Sequence, residues 1–214
     1  MTLRIVLTFI LAYLIGAIPS AVWLGKIFYG KDVRNYGSGN AGATNTFRVL
    51  GTTAGIIVLA ADVLKGIVAV LLSHFPVGGN FSPSQFLHYQ IGLGIAAGLG
   101  HIFPIYLRFK GGKGVATFFG VILYLFPLVA LVCVVTFFTV FFITRYVSLS
   151  SMIASVAFTV SIFLLYLKGR GELPLIIFAI LIPVIICYTH RKNISRLLNG
   201  TETKMNFSKK ENPL

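Results

Sequence analysis

The sequence predicts an all-α, polytopic integral membrane protein with about seven transmembrane helices. Three observations predict it. The 214 residues have a mean hydropathy of +0.90, and only 11% of them are charged against 57% hydrophobic. Apolar runs long enough to cross a bilayer, roughly 20 residues each, recur along the chain. The basic residues gather in alternate connecting segments instead of being spread evenly.

The first span runs from about residue 3 to 25. Its apolar stretch is too long for a cleaved signal segment and reads as part of the mature protein. Apolar runs bounded by charge and turn residues place the second span at about 51–74 and the third at about 86–106. The run from Val115 to Ile143 is uninterrupted. As one helix rising ~1.5 Å per residue it would be about 43 Å long, well over the ~30 Å hydrocarbon core. Pro127 lies within it, so the run is predicted to be two spans joined by a tight apolar turn, the first of them short. The last two spans are predicted at about 150–167 and 173–189. Residues 1–198 form one membrane domain, and 199–214 form a polar basic tail.

The charges orient these spans. The chain has 18 Lys plus Arg against 5 Asp plus Glu, a net charge of +13. With seven spans and the N-terminus outside, segments 26–50, 107–114, 144–149 and the tail from 190 are cytoplasmic. They hold 14 of the 18 basic residues, leaving outside only Arg4, Lys168 and Arg170, with Lys65 inside a span. A single helix over 115–143 would put the basic tail outside, against the positive-inside rule. The glycine-rich polar segments therefore all lie at one face.

The first such segment is Gly37-Ser-Gly-Asn-Ala-Gly-Ala-Thr-Asn45. Its glycines permit positive φ and close backbone approach, and successive amides in such turns form anion-binding nests. Ser38, Asn40, Thr44 and Asn45 add side-chain donors. Arg48 follows, near the expected start of span two, where a helix N-terminus also favours negative charge. A flexible linker needs no arginine or threonine placed this way. The second segment is Phe109-Lys-Gly-Gly-Lys-Gly-Val-Ala-Thr117. It fails the Walker A pattern, because Leu107 takes the first glycine position and Gly114 replaces the Mg²⁺-binding Ser/Thr. Nucleotide hydrolysis is not supported. A phosphate cradle of amides and Lys113 is.

Two more polar segments share the face: Thr144-Arg-Tyr-Val-Ser-Leu-Ser-Ser151, and His190-Arg-Lys-Asn193 at the end of span seven. His190 and Asn193 share a face if the helix continues. In the four cytoplasmic segments the only carboxylates are Asp32, and Glu202 and Glu211 far out in the tail. Neither an acid/base pair nor a metal site is predicted. Cys133 and Cys187 lie in apolar runs and imply no disulfide. Asp62 and Lys65 read as an ion pair within span two. His101 and Pro104 close span three just before the second glycine loop and are expected to shape it, with His101 as a general base the lesser alternative. Such a face suits a substrate bringing its own negative charge and a good leaving group. A phosphate or organophosphate carrier would use similar groups, but the chain has no internal repeat, and its anion motifs lie at one edge of the membrane.

The order G-S-G-N-x-G-A-T-N, G-H-x-F-P, F-x-G-G-K-G-V-A-T, R-Y-V-S-L-S-S and H-x-x-N resembles the bacterial acylphosphate:glycerol-3-phosphate acyltransferases, the PlsY family. The resemblance covers almost the whole chain except the tail after Leu198. It implies a seven-helix enzyme of the bacterial cell membrane with its site at the cytoplasmic surface. The reaction implied moves a fatty acyl group from acyl-phosphate to the 1-hydroxyl of glycerol 3-phosphate, giving lysophosphatidic acid and phosphate, without metal, cofactor, acyl-CoA or acyl-carrier protein. Carried onto this sequence, Gly37, Ser38, Gly39, Asn40, Thr44, Gly111, Gly112 and Lys113 hold the acyl-phosphate. Arg48, Lys113, a serine (Ser151 in preference to Ser148), His190 and Asn193 hold glycerol 3-phosphate. Ser38, Lys113 and His190 are the expected catalytic residues. His190 is one candidate for the hydroxyl proton. A substrate phosphate oxygen is favoured, because protein bases are few.

Overall fold

The computed structural model describes residues 2–75, 81–169 and 172–205, and among these every regular element is helical. The order is α1 (Thr2–Ala17), α2 (Ser20–Tyr29), α3 (Ala43–Leu50), α4 (Thr52–Leu71), α5 (Pro83–Ile102), α6 (Val115–Leu125), α7 (Pro127–Thr144), α8 (Val147–Leu167), α9 (Leu173–Thr189) and α10 (Arg191–Leu198). Among the described residues, four helical stretches are long and apolar enough to cross a bilayer: Thr52–His74, Pro83–Leu107, Pro127–Thr144 and Val147–Leu167. Two bent pairs, Leu3–Ala17 with Ser20–Tyr29 (45°) and Leu173–Thr189 with Arg191–Leu198 (64°), make up to six. Val115–Leu125 is shorter. Its eleven residues rise roughly 16 Å, about half of the hydrocarbon core.

Prolines set several breaks. The expected span 3–25 is two helices, because Pro19 follows α1 and lacks the N–H that would continue it. The long apolar run is interrupted at Phe126, with Pro127 at the first position of α7. Pro183 instead lies inside α9 and leaves the carbonyl of Ala179, four residues back, without its usual donor. Thr159 of α8 fills that gap, its hydroxyl donating to Ala179 O at 2.6 Å. In hydrocarbon this matters, because no water is available to take the carbonyl.

The chain divides into two compact units, one built from residues up to Val121 and the other from Ile122 onward. In the first, α1 packs on α5 and α4. The helices approach through glycine: a Cβ on Gly16 would sit 2.0 Å from Ala97 O, and one on Gly100 2.2 Å from Tyr13 O. Small residues at such crossings let backbones touch where lipid offers no hydrophobic drive. Ala12, Ala69, Leu72, Tyr89, Leu93 and Ala97 form the core there. The second unit packs α7 on α8 and α8 on α9, with Phe158 and Phe178 edge to face at 5.7 Å. Outward positions carry large apolar groups, such as Leu128 and Ile143 of α7. These are the side chains a lipid-facing surface accommodates.

Candidate active site

In the first unit, the segment after α2 is built around two carboxyl and amide side chains. Asp32 accepts from Arg34 N–H at 3.1 Å and from its guanidinium at 3.0 and 2.7 Å, with Lys26 at 3.4 Å. The Arg34 hydrogen bond outweighs the burial of Asp32 and holds its carboxyl well below the usual carboxylate range. Asn45 is buried at 1% exposure. Its Oδ1 accepts from Ser38 N–H (2.8 Å) and the Ser38 hydroxyl (3.1 Å), while its Nδ2 donates to Val33 O (2.7 Å) and Tyr36 O (3.2 Å). Gly37 must be glycine here, with φ +58° and a hypothetical Cβ only 2.5 Å from Asn45 Oδ1.

These bonds correct two expectations for the first glycine run. Asn45 is a loop organiser, not a ligand donor. The amides of Ser38 and Gly39 are engaged, the latter with Tyr36 O at 3.0 Å, so an anion nest at Gly37–Gly39 is not what the loop offers. The amides left without a side-chain cap are those of the first turn of α3, whose N-cap is Gly42. Thr44 lies in that turn. Arg48 lies near the start of span two, as expected, but not on that helix. It is in the last turn of α3, a separate amphipathic helix that packs on α4 with Phe47 against Gly55.

The second glycine run follows α5. Gly111 N–H donates to Ile102 O and Gly112 N–H to His101 O, both at 3.1 Å. A Cβ would meet His101 O at 2.2 Å from Gly111 and His101 Nε2 at 2.1 Å from Gly112. The two glycines are thus explained by close seating of the loop on α5, and their amides are not phosphate donors in this arrangement. Lys113 follows them, half-buried, just before α6. The structure brings the two runs together: Leu107 packs against the buried cluster of Ala21, Val22, Val33, Ala41 and Val58, and one cleft is lined by Ala41, Lys65, His101, Gly111 and Gly112.

In the second unit, the third and fourth polar segments also meet. His190 is both the end of α9 and the cap of α10, so the helix turns 64° there instead of continuing. His190 and Asn193 are nevertheless both buried, at 2% and 7% exposure. His190 Nδ1 lies 2.8 Å from Ile186 O, which places the proton of a neutral ring on that nitrogen and the lone pair on Nε2. The Ser151 hydroxyl donates to Val147 O within its own helix at 2.8 Å. Sequence reasoning left Glu202 far out in the tail. Its Oε1 in fact accepts from Ser148 Oγ and Asn193 Nδ2, both at 2.6 Å, and its Oε2 from Arg196 Nε at 2.7 Å. Burial works against the Glu202 charge, but these three donors outweigh it and hold the carboxyl below its ordinary range. Met205 N–H donates to Arg145 O at 2.9 Å, so residues 199–205 fold back as a strap.

The family model described as glycerol-3-phosphate acyltransferase matches residues 6–200. The chain belongs to the glycerol-3-phosphate acyltransferase family. It is 47% identical over 205 residues to glycerol-3-phosphate acyltransferase 2 of Bacillus cereus, covering 96% of this chain and 97% of that one. It is 45% identical to the Listeria monocytogenes enzyme, covering 97% and 100%. The crystal structure of PlsY, an integral membrane glycerol 3-phosphate acyltransferase, in its glycerol 3-phosphate form superposes with a TM-score of 0.82 at 37% identity, covering 94% of this chain and 96% of that one. Its lysophosphatidic acid form gives 0.79. Glu202 lies just beyond the family match.

Proposed function

We propose that the chain transfers a fatty acyl group from acyl-phosphate to the 1-hydroxyl of glycerol 3-phosphate, releasing lysophosphatidic acid and phosphate. The observation that carries this is the near full-length likeness to PlsY in its glycerol 3-phosphate form, on a scaffold whose two glycine runs share one cleft. The acyl-phosphate headgroup is assigned to the Ser38 hydroxyl, Asn40, Thr44 with the amides of its turn, and Lys113. Gly37, Gly39, Gly111 and Gly112 give those loops their shape. Glycerol 3-phosphate is assigned to Arg48, Lys113, Ser151, His190 and Asn193. Ser151 is preferred to Ser148 because it gives up only a bond to its own helix, whereas Ser148 is held by Glu202.

The hydroxyl oxygen attacks the acyl carbonyl carbon, the bond between that carbon and the oxygen bridging to phosphorus breaks, and phosphate leaves with the bridging oxygen and the electron pair. An acyl-phosphate is a mixed anhydride, so the leaving group needs charge stabilisation and orientation more than a strong acid. The hydroxyl proton passes to a phosphate oxygen of the substrates, with His190 orienting the acceptor. The site faces the cytoplasm of a bacterial cell membrane, with the N-terminus outside. No metal or cofactor takes part.

Purified protein given acyl-phosphate and glycerol 3-phosphate is expected to form lysophosphatidic acid in the presence of chelator. Equal or better turnover with acyl-CoA would overturn the donor assignment. Reporter fusions after Asn199 are expected to read cytoplasmic, and an external reading would overturn the topology.

A further inference from the structure

Asp62 and Lys65 lie within the apolar helix α4, 2% and 6% exposed. Lys65 Nζ donates to Asp62 Oδ1 at 2.6 Å and also to Ile18 O, at the break before Pro19. From α5, His101 turns Nδ1 toward the same carboxylate oxygen at 3.8 Å. Charged groups inside a span are costly to keep. Next in sequence, Gly66 packs directly on the backbone of α6 at Thr117, so holding helices together here needs no charge. What the charged set does have beside it is the second glycine loop. The imidazole Nε2 occupies the space a Gly112 side chain would need, the His101 carbonyl receives the Gly112 amide, and Lys65 and His101 line one cleft with Gly111 and Gly112.

We propose that Asp62, Lys65 and His101 are positioning residues for the 110–114 loop. Lys65 fixes the Asp62 carboxylate, Asp62 fixes the plane of the His101 ring, and the ring edge is the seat on which Gly111 and Gly112 rest. Lys113 is placed through that seat. An apolar trio would join α4 to α5 as firmly but would leave the ring free to turn and the loop free to shift. The proposal rests on the acyl-transfer reading for the use of Lys113, but the seating itself is measurable without catalysis.

The test uses full-length protein in detergent with two variants. His101→Ala removes the seat. Asp62→Leu with Lys65→Met replaces the pair by apolar groups, which tends to preserve stability when both charges are removed together. Positioning predicts that both variants keep their melting temperature within a few degrees while amide exchange at Gly111 and Gly112 speeds up about tenfold or more. It also predicts a loss of about tenfold to a hundredfold in kcat/KM. Combining either variant with Lys113→Ala should cost little more than Lys113→Ala alone, since the effect runs through Lys113. Unchanged exchange at Gly111 and Gly112 in the double replacement, or losses that multiply with Lys113→Ala, would overturn the proposal and leave the pair a helix staple. If wild-type protein does not use acyl-phosphate, the acyl-transfer reading fails, and the exchange measurement still decides the seating.

Discussion

Replacing Glu202 by glutamine probes how the second unit holds its polar segments. The glutamine keeps an acceptor where Oε1 receives Ser148 and Asn193, but it puts an NH₂ group opposite Arg196 Nε, which is 2.7 Å from Oε2 in the native chain. One charge-assisted hydrogen bond is lost outright and two are weakened. A hydrogen bond to a charged group contributes about 1.5–3 kcal/mol. Arg196 is 38% exposed, so its share belongs at the low end, and a net cost near ~2 kcal/mol is expected, roughly a thirtyfold shift toward an undocked strap. Glu202→Ala leaves buried Ser148 and Asn193 without their acceptor and should cost about 3–5 kcal/mol. Amide exchange at Met205, whose N–H donates to Arg145 O, reads the docking directly. The Asn193 anchor is weakened by glutamine and removed by alanine, so the KM for glycerol 3-phosphate should rise more than kcat falls, and further in the alanine variant. The pH dependence has a definite sign. The folded-state pKa of Glu202 is lowered, so its contribution is complete above the ordinary glutamate range and is lost as pH falls through the folded value. The glutamine variant should be flat in that window. Native exchange at Met205 in Glu202→Gln, or an identical acid response in both proteins, would refute this account of the strap.

Arg48→Lys keeps the charge but loses the forked geometry suited to phosphate, and should chiefly raise the KM for glycerol 3-phosphate. Ser38→Ala should instead lower kcat, by up to about 10²–10³ if its bond tightens on the leaving phosphate. The same kinetic pattern from both would show the two phosphate sites to be wrongly divided. Gly111→Ala places a methyl 2.2 Å from His101 O and 2.4 Å from Pro104 Cδ, so the loop must move. A loss of about tenfold to a hundredfold in kcat/KM is expected with membrane insertion intact, and unaltered kinetics would contradict the close seating. Thr159→Val removes the donor to the Ala179 carbonyl that Pro183 leaves open, and should lower stability by about 1 kcal/mol, with Thr159→Ser restoring it. Equal melting temperatures for the valine and serine variants would show that the hydroxyl does not serve that carbonyl.

Local rules read well from this sequence and long-range ones do not. The helix break beside Pro127 follows from a missing N–H, which sequence position alone reveals, and the structure has it. The glycine runs were equally visible, but their meaning was not. Gly111 and Gly112 look like amide donors until Ile102 and His101 are seen to take those amides, and a partner nine or eleven residues away leaves no mark on the motif. Asn45 reads as one more polar ligand, although it spends both its oxygen and its nitrogen on the loop that precedes it. The short helix that carries Arg48 was open to sequence reading: Ala43, Phe47 and Leu50 are spaced as one face of a helix before Gly51, and that helix is α3. Glu202 was hardest, because a carboxylate in a polar tail carries no periodicity and its donors at Ser148 and Asn193 lie 54 and nine residues away. The pattern has a physical source. Backbone constraints act within a few residues and leave a mark in sequence, whereas a buried polar side chain is satisfied by whichever donor the fold delivers. A site made of such side chains is therefore legible as a list of residue types before it is legible as a geometry.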